Sequence, residues 1–265
     1  MMRSVFFKTI YDKRFFILGW SLGLLAIAML MASFFPAMRP DGGIDQLLQN
    51  MPAAFKGLIG NLADLAQFDT YIATQLFDIR VPLIAGIMAI ILALGISVRE
   101  EEDGELRTIL SLPISRTRLF FEKWLALVAI MLVAVLSLVI GVYAITPFIE
   151  DATIDFFVLL RLAGMTWLVM VTYGTVAFAA GMATGRRSIA SFISILIIIG
   201  SFILTTFAQA VDWLKDYEVI SLLHYFPAAE IVRDGVKLEN FIILASVTLL
   251  SLLIAWGMFH NRDIG

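Results

Sequence analysis

The chain has no cysteine and only two histidines among 265 residues. Without thiols there is no disulfide framework, no thiolate metal site and no cysteine nucleophile. His224 and His260 stand far apart, so no H-E-x-x-H pair exists and little remains for metal or proton-shuttle chemistry. Charge is scarce too: Asp, Glu, Lys and Arg make up 15% of the residues, against roughly a quarter in soluble domains. The formal net charge of -3 lacks the positive field of a nucleic-acid binder, so no nucleic-acid partner is expected. There is also no G-x-x-x-x-G-K-[ST] phosphate loop. The nearest stretch, Gly181 to Ser188, has the wrong glycine spacing and carries Arg187 where the lysine should stand. By that route the chain cannot hydrolyse nucleotide alone, and no catalytic or metal-binding residue is assigned.

What is plentiful is apolar sequence, 60% of the residues with a mean hydropathy of +0.92, which excludes a soluble enzyme. Six runs contain no charged residue and are long enough to cross a hydrocarbon core of about 30 Å at about 1.5 Å per residue. They are 15–35, 81–98, 124–148, 162–183, 188–211 and 241–259, 129 residues in all, and every charge falls in the other 136. Unbroken apolarity reads as helix, because a lipid-exposed backbone must satisfy its own hydrogen bonds and barrel strands would alternate. The first run follows four basic residues like a signal peptide. Its 21 residues exceed an h-region of about 7–15 and no small-residue cleavage site is convincing, so it reads as an anchor.

Orientation follows the basic residues. If the N-terminus is cytoplasmic, segments 1–14, 99–123, 184–187 and 260–265 lie inside with 12 basic and 8 acidic residues, and the outer segments hold 7 and 14. Both termini are therefore expected in the cytoplasm. Arg161, at the outer edge of the fourth run, is expected to snorkel or to pair with Glu150, Asp151 or Asp155. No charge lies inside a run, which argues against proton-coupled transport.

Several loops exceed what a connector needs. In 2–14, Met2, Val5, Phe6, Thr9 and Ile10 share one helical face opposite Ser4, Lys8 and Asp12, as in a helix lying at the membrane interface. In the outer loop 36–80, Leu47, Leu48, Met51, Ala54, Phe55, Leu58 and Ile59 have helical spacing after Pro40 to Gly43 break the first helix. Segment 212–240 carries Trp213, Tyr217, Tyr225 and Phe226 as interface anchors, and Pro227 starts a short helix that Gly235 closes. The inner loop 99–123 spends 25 residues on two short helical pieces around Pro113. Its first piece continues the second span through the acidic run and shows Leu106, Ile109 and Leu110 on one face; the second begins after Ser115. That is the shape of a docking surface.

Within the spans, Gly19/Gly23 and Gly181/Gly185 form small-xxx-small pairs, expected to serve packing within the chain rather than dimerisation. Thr166, Thr172, Tyr173, Ser194, Ser201 and Thr205 are candidates for a substrate path. Hydroxyls in membrane helices also bond back to their own carbonyls, so both readings stand.

The stretch Glu100-Glu-Glu-Asp-Gly-Glu-Leu-Arg-Thr-Ile-Leu-Ser-Leu-Pro-Ile-Ser-Arg116, followed by Glu122-Lys123 and a long apolar span, resembles the signature of type-2 ABC exporter permeases. Further features match in order: Lys13-Arg14 ending the N-terminal helix, Met51-Pro52 in the long outer loop, Leu223-His-Tyr-Phe-Pro227 before the last span, and Arg262-Asp263-Ile264. The resemblance implies one all-α membrane domain over 1–265 with six spans. It implies pairing with a second permease copy or a homologous permease, and two cytosolic ATPase subunits that bind ATP and Mg, the chain itself holding no cofactor. These 265 residues contain no ATPase domain, so the ATPase is expected as a separate polypeptide.

It further implies that the coupling helix docks the ATPase through Glu100, Glu101, Glu102, Glu105, Leu106, Ile109, Leu110, Pro113, Ser115 and Arg116. Residues 1–14 become the connecting helix, with Phe6, Lys8, Lys13 and Arg14, and 212–240 a re-entrant outer element. The expected function is that of an exporter permease in the plasma membrane of a bacterium or archaeon, contacting membrane lipid. An anchoring or assembly subunit for a cytosolic partner is the alternative, and a secondary transporter a third. The substrate stays open among amphiphilic drugs, peptides, lipids and lipid-linked glycans.

Overall fold

The computed structural model describes residues 4–38, 67–78, 80–104, 114–208 and 211–262, apart from the side chain of Asp212. In chain order the helices are α1 (Val5–Asp12), α2 (Arg14–Ser33), α3 (Phe35–Met38) and α4 (Phe68–Ile72), which runs into a π turn (Ala73–Phe77). Then come α5 (Arg80–Ser97), α6 (Arg99–Glu102), α7 (Arg116–Ile145), α8 (Phe156–Thr184), α9 (Arg187–Phe207), α10 (Asp212–Lys215), α11 (Ala228–Asp234) and α12 (Leu238–Asn261). There is no strand among the described residues. Among the described residues, helices α2, α5, α7, α8, α9 and α12 are the six long and apolar enough to cross a membrane.

These six form one bundle. Helix α8 is its centre, packing on α5, α7, α9 and α12, while α2 packs chiefly along α7. Helix α5 is buried along most of its length, whereas α2, α9 and α12 expose large apolar side chains such as Leu22, Leu196 and Leu253 outward. In a bilayer such surface needs no burial within the protein, since lipid tails are as apolar as leucine. Polar bridges pin the centre: the indole of Trp124 donates to Thr175 Oγ1 at 2.9 Å and that of Trp167 to the Val128 carbonyl at 3.2 Å, both tying α7 to α8. Thr172 and Thr248 meet at 3.0 Å between α8 and α12.

The helix ends depart from the charge-free runs in physically legible ways. Buried turns from Phe68 to Phe77 precede α5, where the sequence placed outer loop up to residue 80. Counting stopped at Asp78 and Arg80, yet Arg80 is satisfied locally, its guanidinium donating to the Gln75 carbonyl at 2.6 Å and side chain at 2.9 Å. The Phe35 and Tyr71 rings meet at a tilt, 5.3 Å between centroids, and the Tyr71 hydroxyl donates to the Met31 carbonyl at 2.9 Å, holding these turns on α2. Helix α7 begins two turns before its apolar run because Ser115 caps it, its hydroxyl accepting from Arg118 N at 3.2 Å. The acidic residues Glu100 to Glu102 are helical as expected, but a break at Val98 sets them off from α5. Helix α9 stops at Phe207, short of residue 211, because the chain is already extended at Val211 before α10. The amphipathic helix expected around Leu47 to Ile59 lies outside the described residues.

The glycine pairs divide. Gly181 meets Ser97 and Val98 of α5 and its neighbour, and Gly185 ends α8 at φ +63, so both serve this chain as expected. Gly19 and Gly23 correct the expectation: a Cβ on either meets nothing within 4 Å, and both open onto an apolar groove of about 380 Å³ between α2 and Ile84. The close approach of α2 is made instead at Gly141 of α7.

Candidate functional site

One end of the bundle gathers Ser4 and Arg262, the first and last described residues, and the starts of α7 and α9. Here the acidic run turns inward. Consecutive side chains of one helical turn point about 100° apart, so the carboxylates of α6 reach three different elements. Glu100 Oε2 lies 2.6 Å from Lys123 Nζ in the first turns of α7. Glu101 pairs with Arg262, the residue following the end of α12. Glu102 lies 3.9 Å from Arg187 at the start of α9, and Asp103 bonds back to Arg99 at 3.3 Å. Gly104, at φ +73, then turns the chain.

The bases are committed as firmly as the acids. Lys123 is 1% exposed and also donates to the Ile96 carbonyl at 3.0 Å. Arg262 spans two contacts, donating to the Met182 carbonyl in the last turn of α8 at 2.8 Å while its other nitrogen meets Glu101. Arg116 donates to the His260 and Arg262 carbonyls at 3.2 and 2.8 Å. Carbonyls at a helix C-terminus lack intrahelical partners, and guanidinium groups satisfy them here. Of the expected docking residues, the structure therefore brings Glu100, Glu101, Glu102, Ser115 and Arg116 to this end of the bundle. Glu105, Leu106, Ile109, Leu110 and Pro113 lie outside the described residues.

Helix α1 lies on the same end, against the first turns of α7. Glu122 accepts at Oε2 from the Ser4 hydroxyl at 2.9 Å and from Phe6 N at 3.1 Å, and at Oε1 from Arg118 Nε at 2.6 Å. A carboxylate at the N-terminal turn satisfies N–H groups the helix leaves open and suits its dipole. The expected face is the one turned inward: Thr9 is buried and Val5, Phe6 and Ile10 half-buried, while Phe7 and Lys8 face out. Lys13 reaches α5, where a Cβ on Gly95 would stand 3.0 Å from its Nζ. Burial, then Arg99, holds that ammonium below the ordinary lysine value. The Arg14 guanidinium covers the Tyr11 and Phe15 rings at 4.1 and 4.7 Å.

The six path candidates do not form one lining. Thr166 and Ser194 bond back to the Leu162 and Ala190 carbonyls at 2.8 and 2.6 Å. Thr172 clasps Thr248. Ser201 and Thr205 fasten the opposite end: Ser221 Oγ lies 2.6 Å from Thr205 Oγ1 and 2.9 Å from the Ser201 carbonyl, and Leu222 N donates to Ser201 Oγ at 3.3 Å. Tyr173 stands apart, buried with its hydroxyl facing Ser201.

At that opposite end the segment from α10 onward folds back on the bundle. Leu222, Leu223 and Phe226 are buried, α11 starts after Pro227 and ends at Gly235, and only Trp213 and Tyr217 among its large aromatics are more than half exposed. Arg161 points toward this element, its Nη1 3.8 Å from where a Cβ on Gly235 would stand. Asp155, one of its expected partners, caps α8 by accepting from Phe157 N and Val158 N at 2.7 and 3.2 Å.

Lys123, Arg187, Arg262 and Glu122 are not among the candidate site residues, although they organise the end that carries α1 and α6. Lys123 had a legible signal, a lone ammonium abutting a 25-residue apolar run. Arg262 enters the sequence reading only through the Arg262-Asp263-Ile264 resemblance, and nothing local marks its pairing, because its partners lie 80 and 161 positions away.

Comparison with known proteins agrees with this architecture. A Bacillus subtilis (strain 168) protein named "Uncharacterized protein YhcI" is 23% identical over 206 residues, which is 69% of this chain and 65% of that relative's length. The family model described as "ABC-2 family transporter protein" matches residues 6–264. Matched over nearly its whole length, and built of six membrane-spanning helices, the chain belongs to the ABC-2 transporter family as a multi-pass membrane component.

Proposed function

We propose that this chain is the permease subunit of an ATP-driven exporter in the plasma membrane, energised by separate cytosolic ATPase subunits. The observation that carries the reading is the joint fastening of α1 and α6 to the first turns of α7, α1 through Glu122 and α6 through Lys123. Two elements that resemble a connecting helix and the root of a coupling loop thus share one rigid base. The charge distribution supports a cytosolic position for that end, since its four segments hold 12 of the 19 basic residues.

In this reading two ATPase subunits bind ATP and Mg, and each docks on the 99–123 loop of one permease in a pair, beside the outward-facing Phe7 and Lys8 of α1. The second permease is a further copy or a homologue. Closure of the ATPase pair pushes the loop, and the helices fastened to it tilt between inward and outward openings.

Purification of the tagged chain from native membranes is the test. It should bring down an ABC ATPase, and vesicles carrying the complex should accumulate substrate only with ATP. Purified chain alone should hydrolyse none; hydrolysis by it, or transport driven by an ion gradient without ATP, would refute the reading.

A further inference from the structure

The acidic run has the composition of an exposed docking patch, but its two innermost carboxylates are spent on partners from this chain. The side chains of Glu100 and Glu101 are 21% and 25% exposed, and their partners Lys123 and Arg262 1% and 19%. Each partner has a second bond that fixes its own place: Lys123 to the Ile96 carbonyl of α5, Arg262 to the Met182 carbonyl of α8. The Arg262 carbonyl is in turn held by Arg116 at the start of α7. A turn of four residues, too short to hold its own shape in water, is thereby braced against α5, α7, α8 and the end of α12.

Gly185 completes the brace. A Cβ there would stand 2.6 Å from both Arg262 Cζ and Glu101 Oε1, so the guanidinium and the carboxylate close over the residue that caps the end of α8, where only glycine leaves room. Its left-handed φ of +63 suits glycine for the same position.

We propose that Glu101 and Arg262 are positioning residues: they hold the root of the 99–123 loop on the ends of α8 and α12 and act on the ATPase only through the loop they place. The inference rests on the reading of that loop as the docking element. It differs from it in assigning these carboxylates an internal partner rather than a place on the interface. Force applied to the loop is then delivered directly to α8, the helix at the centre of the bundle.

A double-mutant cycle on the full chain in nanodiscs tests this, using Glu101→Ala, Arg262→Ala and the double variant. Two readouts are taken. The first needs no ATPase: the chain has no cysteine, so Asp103→Cys and Ser188→Cys give a spin-label pair reporting the loop root against the start of α9. Its distance distribution should broaden alike in all three variants. The second is the affinity for the co-purified ATPase, expected to fall about 10-fold in each single variant and no more than about 2-fold further in the double, since residues acting as one unit are not additive.

Multiplying effects, with the double variant near 100-fold, would mean that Glu101 meets the ATPase itself and would overturn the proposal. So would an unchanged label distribution in the single variants. If an alanine variant fails to fold, Glu101→Gln and Arg262→Lys supply the same cycle. Should wild-type chain bind no ATPase, the docking reading fails while the label readout still decides whether the pair positions the loop.

Discussion

Replacing Gly141 by alanine should destabilise the bundle, whereas the same change at Gly23 should not. A Cβ at Gly141 would stand 2.8 Å from the Leu25 carbonyl oxygen, 2.9 Å from the Ala28 Cβ and 3.3 Å from the Leu25 Cα. Two of those atoms are backbone and the third is a methyl with no torsion to relieve it. Helix α2 must therefore withdraw from α7 by about 0.5–1 Å, which forfeits a quarter to a half of each dispersion contact along the seam. Overpacking of this kind costs about 1–3 kcal/mol, partly offset by a helix-propensity gain for alanine of up to about 1 kcal/mol, leaving a net loss of about 1–2 kcal/mol.

Gly174 gives the internal control. Its would-be Cβ meets the Met131 methyl, with the sulfur at 3.3 Å and Leu127 Cδ2 at 3.4 Å, all tips of flexible side chains. Gly174→Ala should stay within about 1 kcal/mol of wild type. Gly23→Ala meets nothing and should be neutral or slightly stabilising. Equilibrium unfolding in mixed detergent micelles, followed through the five tryptophans, ranks the three variants. Equal stability of Gly141→Ala and Gly23→Ala would refute the reasoning, because the two differ only in what the added methyl meets.

Lys123→Met should lose about 3–5 kcal/mol because it strands the Glu100 carboxylate, while Lys123→Met combined with Glu100→Met should recover most of that loss; the same unfolding assay checks both. Thr172→Val removes one partner of a buried hydroxyl pair between α8 and α12, and a loss of about 0.6 kcal/mol is expected from hydrogen bonds of this kind in membranes. A value above about 2 kcal/mol would mean the pair carries more than packing. Asp155→Ala removes the cap of α8 and should cost about 1 kcal/mol, with hydrogen exchange rising at Phe157 and Val158 and not at the far end of the helix.

The parts of this fold that could be read from sequence are those where composition alone decides. Charge-free length marks a spanning helix whatever it packs against, so all six emerged, each within a few turns of its true ends. The N-terminal helix was legible for the same reason: its face of Val5, Phe6, Thr9 and Ile10 is a periodicity carried by consecutive residues. Pro227 and Gly235 bounded α11 as local backbone chemistry requires. Failures cluster where a residue's role depends on what a distant segment brings to it. Gly19 and Gly23 have the spacing of a packing seam, yet the seam of α2 runs past Gly141, which no spacing rule distinguishes from any other glycine in an apolar run.

The charges carry the same lesson into function. Counted along the chain, Glu100 to Glu102 are a solvated acidic patch, and a patch at a membrane edge suggests a partner. Placed in space, each faces a base from a different helix end, because the starts of α7 and α9 and the end of α12 converge there. A buried or half-buried carboxylate is tolerated only with its counter-ion and hydrogen bonds in place, so these pairs fix where the loop root sits before any partner arrives. In the proposed docking of an ATPase on 99–123, the acidic run then serves to place the loop rather than to meet the partner, and it sets the direction in which a push on that loop enters the bundle.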